Sequence, residues 1–255
     1  MNKLKVASKR VRPLMGTFVE VTLFSEGNFD SLITKAFEKA SELEKVFNVH
    51  DPKSDISILN NTSDDDTFEL HPALAEVLEA ADEIMLLSEG AFSPYREDSA
   101  FWDLSGIAKG YIVDQMVETI LAEQPALMGM VNAGGDLRFF NCPEKKISLR
   151  LGSASHPLER SLMLLKDAIA TSSPTVAMTD EKSSTIYLKP LREGLSVQHA
   201  VSVIADTCMI ADAMTKVGLF AKREIVQKCA STFKAQVIIF GADGDPLEVF
   251  ENHEA

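Results

Sequence analysis

Residues 127–140 read LMGMVNAGGDLRFF, two short apolar runs joined at Gly134-Gly135. Paired glycines between such runs suit a tight turn with positive φ, so the stretch predicts two strands folded back on each other. The same glycines would let a backbone pass close to a ligand. Toward the C-terminus KISLRL, SLMLLK, STIYLK and AQVIIF repeat the short β-type run, and GADGD before LEVF predicts a terminal hairpin. Toward the N-terminus FVEVTLF (residues 18–24) alternates as a half-buried strand does. Strands in series with turns between them make a largely antiparallel sheet.

Helical periodicity fills the gaps. Residues 30–47 set Leu32, Ile33, Ala36, Phe37, Ala40, Leu43 and Phe47 on one face, with Asp30 as N-cap. SDISILN predicts a short helix capped by Ser54, and the polar run TSDDD leads into a brief strand, FEL. Further helices are expected over residues 71–88, ending at Gly90, from Ser105 to about Glu123, over 208–220 and over 223–230. Ile107, Tyr111, Met116, Val117 and Ile120 are core candidates of the helix from Ser105. The expected class is α+β, one unit over residues 1–255 with helices packed on antiparallel sheet and no repeat visible in the sequence.

Composition bounds the function. With 45% apolar and 25% charged residues among 255, the chain can bury a substantial core, which excludes disorder, collagen and a disulfide miniprotein. Thirty-eight acidic against 25 basic residues leave −13, which disfavours nucleic acid and anionic membrane as partners. A phosphate-bearing ligand therefore needs a locally positive pocket. Cys142, Cys208 and Cys229 form no CxxC or CxxH pattern, so neither a disulfide framework nor zinc is indicated. The basic stretch MNKLKVASKRVRPLMGT is followed by no apolar run of signal-peptide length, so a cytoplasmic location is expected. No run of about 18 apolar residues predicts membrane insertion.

Three segments could carry chemistry. In FWDLSGIAKGYIVDQ (residues 101–115) Ser105 is a natural N-cap, and Lys109 near the helix start opposes the dipole unless an anion also sits there. Gly106 and Gly110 would permit its close approach; the alternative is an exposed lysine. The segment is not a Walker A loop. In ATSS (residues 170–173) the hydroxyls could hold a phosphate or close a turn. In ADAMTKVG, Asp212, Thr215 and Lys216 share a helical face, as oxygen ligands for magnesium or as a simple i,i+4 ion pair.

Taken in order, LMGT (14–17), HDPKSDISILN (50–60), EGAFSP (89–94), DLSGIAKGYIVD (103–114), VNAGGDLRF (131–139), AIATSS (168–173) and ADAMTKVG (211–218) resemble the ApbE-like FAD:protein FMN transferases. DLSGIAKGYIVD and VNAGGDLRF are the specific segments. The resemblance implies a compact, T-fold-related arrangement with FAD in a cleft between sheet and helices. It implies flavin or adenine contacts from Met15, His50, Ala91, Phe92, Ser93 and Asp103. Lys109 would stand near the diphosphate, with Gly134, Gly135 and Asp136 lining the cofactor, and Lys109 and Asp212 would be catalytic. Magnesium would be held by Gly106, Asp212 and Thr215. The implied reaction moves FMN from FAD to a threonine hydroxyl of a protein target and releases AMP.

The chain departs from that family at three places. Ser93 stands where members carry aspartate, and TIYLKPLREG (residues 185–194) replaces a segment with a histidine and an aspartate. Lys216 stands where the metal motif has threonine. These departures keep open a non-catalytic FAD-binding protein and an FAD pyrophosphatase giving FMN and AMP. They also leave two roles for Lys216, a charge in place of part of the magnesium or a side chain pointing to solvent.

Overall fold

The computed structural model describes residues 6–25, 27–62, 69–96, 101–153, 156–173 and 191–252. In chain order these form β1 (Ser8–Leu14), β2 (Thr17–Leu23), α1 (Asp30–Phe47), α2 (Asp55–Asn61), α3 (Pro72–Leu87), β3 (Tyr95–Arg96) and β4 (Phe101–Trp102). There follow α4 (Ala108–Glu123), β5 (Gly129–Ala133), β6 (Asp136–Phe140), β7 (Lys146–Ser153), β8 (His156–Met163) and β9 (Ala168–Ser172). The last part holds β10 (Ala200–Ala205), α5 (Cys208–Phe220), α6 (Arg223–Thr232), β11 (Gln236–Phe240) and β12 (Pro246–Phe250).

One sheet runs β1-β2-β5-β6-β9-β10-β11-β12 with every neighbouring pair antiparallel. The period-2 pattern explains its two coats. In β10, Val201, Val203 and Ala205 join the core under the helices, whereas Ala200 and Ile204 face the opposite side; Val237 and Ile239 of β11 likewise oppose Ile238 and Phe240. On that second face Leu149 and Leu151 of the β7–β8 hairpin pack against Leu137, Phe139 and Ile169. The first face carries the helices, and all seven residues expected on the inner side of α1 are buried.

Sheet order divides into two similar halves. A hairpin, helices and a second hairpin give β1-β2, then α1 to α4, then β5-β6; the same succession recurs as β9-β10, α5 and α6, β11-β12.

Several expectations need correction. The helix expected from Ser105 begins at Ala108, because Ser105 is held in a preceding turn where Asp103 Oδ1 takes its N–H at 3.0 Å; the N-cap Ile107 has no side-chain acceptor to offer. Asp30 is inside α1; Phe29 is the cap, and Asn28 Oδ1 takes the Asp30 N–H. AIATSS contributes a strand, β9, and no turn, since Ala168 and Ala170 face the helices. Glu69 and Leu70 are not in a strand, and the rest of FEL, like STIYLK, lies outside the described residues. Ser54 caps α2 as expected, accepting from the Ser57 N–H at 3.1 Å.

Helices α4 and α5 meet without side chains between them at Gly110. A Cβ there would lie 2.3 Å from the Cys208 carbonyl oxygen, a backbone atom that cannot yield without moving α5. Gly110→Ala is expected to cost about 1–3 kcal/mol, the usual toll of overpacking. Urea denaturation monitored by circular dichroism checks it, and an unchanged midpoint would contradict the close approach.

Candidate active site

Three segments remote in sequence converge beside that contact. The first turn of α4 brings Lys109, the start of β6 brings Asp136, and α5 brings Asp212 and Lys216. Lys109 Nζ is ion-paired with Asp136 Oδ2 and lies 4.0 Å from Asp212 Oδ2. Lys216 Nζ is ion-paired with Asp212 Oδ1 and donates to the Asp212 carbonyl at 3.0 Å. Two carboxylates and two ammonium groups thus balance. The Lys109 side chain is 29% exposed, whereas those of Asp136, Asp212 and Lys216 are 4%, 1% and 4% exposed, so an anion arriving from solvent meets Lys109 first.

Burial makes these charges interdependent. It pulls the Lys109 pKa down, but the charges of Asp136 and Asp212 and the hydrogen bond to Asp136 outweigh it and hold the ammonium above its ordinary range. Burial raises Asp136, and the neighbouring Asp212 charge adds to the rise, against the pull of Lys109 and Lys216. Ionising Asp136 therefore costs the fold. Its contribution to stability is present below the ordinary carboxylate pKa and is lost as pH rises through the raised one. The Lys109 contribution is complete below the ordinary lysine pKa and persists through neutrality.

Each of the two helices lends the other a carboxylate. Asp114 of α4 takes the N–H groups of Cys208 at 2.9 Å and Met209 at 2.8 Å, which open α5; Asp212 of α5 takes the Gly110 N–H in the first turn of α4 at 3.3 Å. Arg138 of β6 adds an Nη1 contact to Asp114 Oδ1 at 3.1 Å. The anion that Lys109 calls for at its helix start is thus partly the protein's own Asp212. Asp114 lay inside the motif quoted from the sequence yet drew no role, and only its distance from Cys208 reveals one.

The other expected residues lie in turns and connecting segments. Gly134 and Gly135, at φ 63° and 109°, form the turn that delivers Asp136. A Cβ on Gly134 would lie 2.5 Å from Thr17 Oγ1, so the β5–β6 turn abuts the β1–β2 turn that holds Met15 at φ 53°. The Met15 N–H donates to Glu44 Oε1 at 2.6 Å, and a groove of about 400 Å³ opens there between Pro13, Leu14, Met15, Gly16, Thr17, Phe18 and Glu44. Asp103 is buried and its N–H reaches the Pro94 carbonyl at 2.7 Å, tying residues 91–94 to the approach to α4. Ser93 Oγ donates to the Tyr95 carbonyl at 2.9 Å. Ala91 lies half-buried against the core, and Gly106 is buried in the turn before α4. Exposed His50 stands in the turn after α1, its N–H on Asn48 Oδ1.

Phe92 is a correction. Its side chain is fully buried in the core, so the ring is committed to packing, and only its backbone can face a ligand. Half-buried Trp102 stacks at 4.8 Å on Tyr95, and Asn60 bonds both its backbone N–H and its carbonyl, at 2.7 and 2.9 Å.

The expected magnesium donors do not fit a divalent ion. Asp212 Oδ1 and carbonyl oxygen both accept from Lys216, and Thr215 Oγ1 donates to that carbonyl at 2.7 Å while lying 2.7 Å from Ser172 Oγ. Magnesium needs about six oxygens in octahedral array. Among the described residues no three acidic, histidine or cysteine side chains gather to hold a metal. Nor does Lys216 point to solvent.

A protein-family model for the ApbE family matches residues 15–100 and 95–239. The chain belongs to the ApbE family. No curated protein matches it. Among solved structures, the flavin transferase ApbE from Vibrio cholerae superposes with a TM-score of 0.75 at 18% identity, over 97% of this chain and 98% of that one. The ApbE protein from Thermotoga maritima gives 0.74 at 19%, over 96% and 97%. The Pseudomonas stutzeri flavinyl transferase ApbE in its apo form gives 0.75 at 15%, over 98% and 95%. At these identities the likeness establishes the fold.

Two outcomes follow from the cluster. Lys216→Ala leaves Asp212 buried with Lys109 as a more distant counter-ion and should lower stability by about 3 kcal/mol in urea titration, as losing one member of a buried pair does; a loss under about 1 kcal/mol would deny the pair that weight. Burial and the charges of Asp114, Asp136 and Asp212 push the Cys208 thiol well up. Native protein at about pH 8 should therefore leave Cys208 unlabelled by iodoacetamide in peptide mass mapping, and prompt labelling would refute its protonated, enclosed state.

Proposed function

We propose that this ApbE-family chain binds FAD and transfers its FMN moiety to a threonine hydroxyl of a protein target, releasing AMP. The observation that carries the reading is the convergence of Lys109, Asp136, Asp212 and Lys216 beside the glycine turn, in an acidic chain where a phosphate ligand needs a local cation. Three of the segments that resemble the family, DLSGIAKGYIVD, VNAGGDLRF and ADAMTKVG, supply these four residues.

In the proposed reaction the threonine oxygen attacks the phosphorus on the flavin side of the diphosphate. The new O–P bond replaces the bridging O–P bond, and AMP leaves. Lys109, the exposed member of the cluster, turns its ammonium from Asp136 to the phosphates and offsets charge as the bond breaks. Asp136, relieved of Lys109, is then a carboxylate of raised pKa suited to receive the threonine proton. Asp212 keeps both ammonium groups in place. Met15, Gly134 and Gly135 shape the wall along which the cofactor lies, and His50, Ala91, Ser93, Asp103 and the Phe92 backbone are proposed to complete it. The magnesium that the resemblance implies enters no step, since Lys216 engages Asp212 and the Thr215 hydroxyl is turned to the Asp212 carbonyl and Ser172. Three buried, unpaired cysteines suit a cytoplasmic location.

A second reading, FAD binding without transfer, is favoured by the replaced segment at residues 185–194. Most of that segment lies outside the described residues. Among the described histidines, His71 caps α3 and His199 bonds Ser196.

Purified protein incubated with FAD and a threonine-bearing flavinylation-target domain should release AMP and add the mass of FMN to the target. Lys109→Met should weaken FAD binding about tenfold or more, the loss expected for one charge-assisted contact. Intact FAD that stays bound would replace transfer by the binding reading, AMP and free FMN with an unmodified target would support hydrolysis, and no binding would end both.

A further inference from the structure

Resting on that reading, we infer that Lys216 is a built-in substitute for a divalent cation, so that the phosphate site works without metal. An Asp212 carboxylate inside the protein needs a neutralising charge, and so does a diphosphate brought next to it. A divalent ion can do both, bridging the carboxylate to the phosphates. Here the first task is already performed by a covalently attached ammonium. Lys216 Nζ engages both the side chain and the carbonyl of Asp212, and the adjacent hydroxyl of Thr215 is turned to that carbonyl and to Ser172. A second cation at Asp212 would meet Lys216 on one oxygen and, at 4.0 Å, Lys109 on the other. Like-charge repulsion at such range in a buried setting excludes it.

The division of labour follows from exposure. Lys216 is enclosed and committed to Asp212, which leaves the partly exposed Lys109 as the cation that a phosphate can recruit. Without Lys216, Asp212 would compete with the ligand for Lys109. Lys216 is therefore a positioning residue, acting through Asp212 and Lys109. Its signature is a changed metal requirement, which a purely structural role would not produce.

The test measures FAD affinity by fluorescence titration in excess EDTA and in excess magnesium, together with uptake of Mn²⁺ by the protein alone, read from the free-ion electron paramagnetic resonance signal. Wild type should bind FAD with affinities within about twofold in the two buffers and leave the Mn²⁺ signal unchanged. Lys216→Thr, which puts a hydroxyl beside Asp212, should lose about tenfold or more in EDTA, regain it with magnesium, and take up Mn²⁺. A wild type whose FAD binding needs magnesium, or that takes up Mn²⁺ in a manner abolished by Asp212→Asn, overturns the inference. So does a folded Lys216→Thr protein indifferent to metal. If the variant does not fold, the two wild-type measurements decide. If FAD binds in neither buffer the FAD reading fails, and Mn²⁺ uptake alone decides the role of Lys216.

Discussion

The exchange of carboxylates between α4 and α5 is the constraint on which the arrangement turns. Two helices approach to backbone contact at Gly110, and each has an N-terminus whose N–H groups lack helical partners. Asp114 answers for α5 and Asp212 for α4. Because each aspartate belongs to the other helix, these bonds form only when both helices are docked, while Thr207 Oγ1 caps the Ile210 N–H of α5 locally. Burial and hydrogen bonding thus fix the angle and register of α5 against α4, and with them the distance from Lys109 to Asp212. Burial raises the Asp114 pKa while Arg138 and the two N–H groups act to lower it, so the lock depends on donors from three elements.

The sheet supplies the third side of the site. Val19 pairs with Ala133 and Ala133 with Asp136, so the register of β2, β5 and β6 sets the glycine turn against the β1–β2 turn. A slip of one residue would move Asp136 to the opposite face, among the apolar side chains under the β7–β8 hairpin. Apolar alternation in distant strands therefore determines where one carboxylate stands relative to Lys109. The rigidity comes from packing, and the chemistry is carried by the few polar groups that packing leaves at the edge.

That division also explains what could be read from the sequence. The faces of α1 and α5 and the hairpin at Gly134-Gly135 were legible because each follows from local periodicity or from a residue able to take positive φ. ApbE kinship was legible from DLSGIAKGYIVD and VNAGGDLRF. The strand β9 was not, because AIATS is short, small and hydroxyl-rich, and its strand character comes from pairing with β6 and β10. Nor was the start of α4, where Asp103 forms a turn that displaces the apparent cap at Ser105. Phe92 looked available in a loop and is a core residue. For Lys216 the helical face was legible and its direction was not: burial of an ammonium depends on what α4 and β9 set around it.

An acidic chain that is to hold a diphosphate cannot rely on its overall field. At −13 the long-range potential opposes an anionic ligand, but in physiological salt it is screened over about 8 Å. Inside that range the local arrangement governs, and here it is neutral, with two cations matched to two carboxylates. The two ion pairs offset one another's charge. Exchange of Asp136 for a phosphate on Lys109, as proposed above, leaves a carboxylate whose pKa burial and Asp212 have raised, the group to which the proposed reaction assigns the threonine proton. On this view Asp136 is the exchangeable partner of Lys109, and the enclosed Lys216–Asp212 pair is the fixed part against which that exchange takes place.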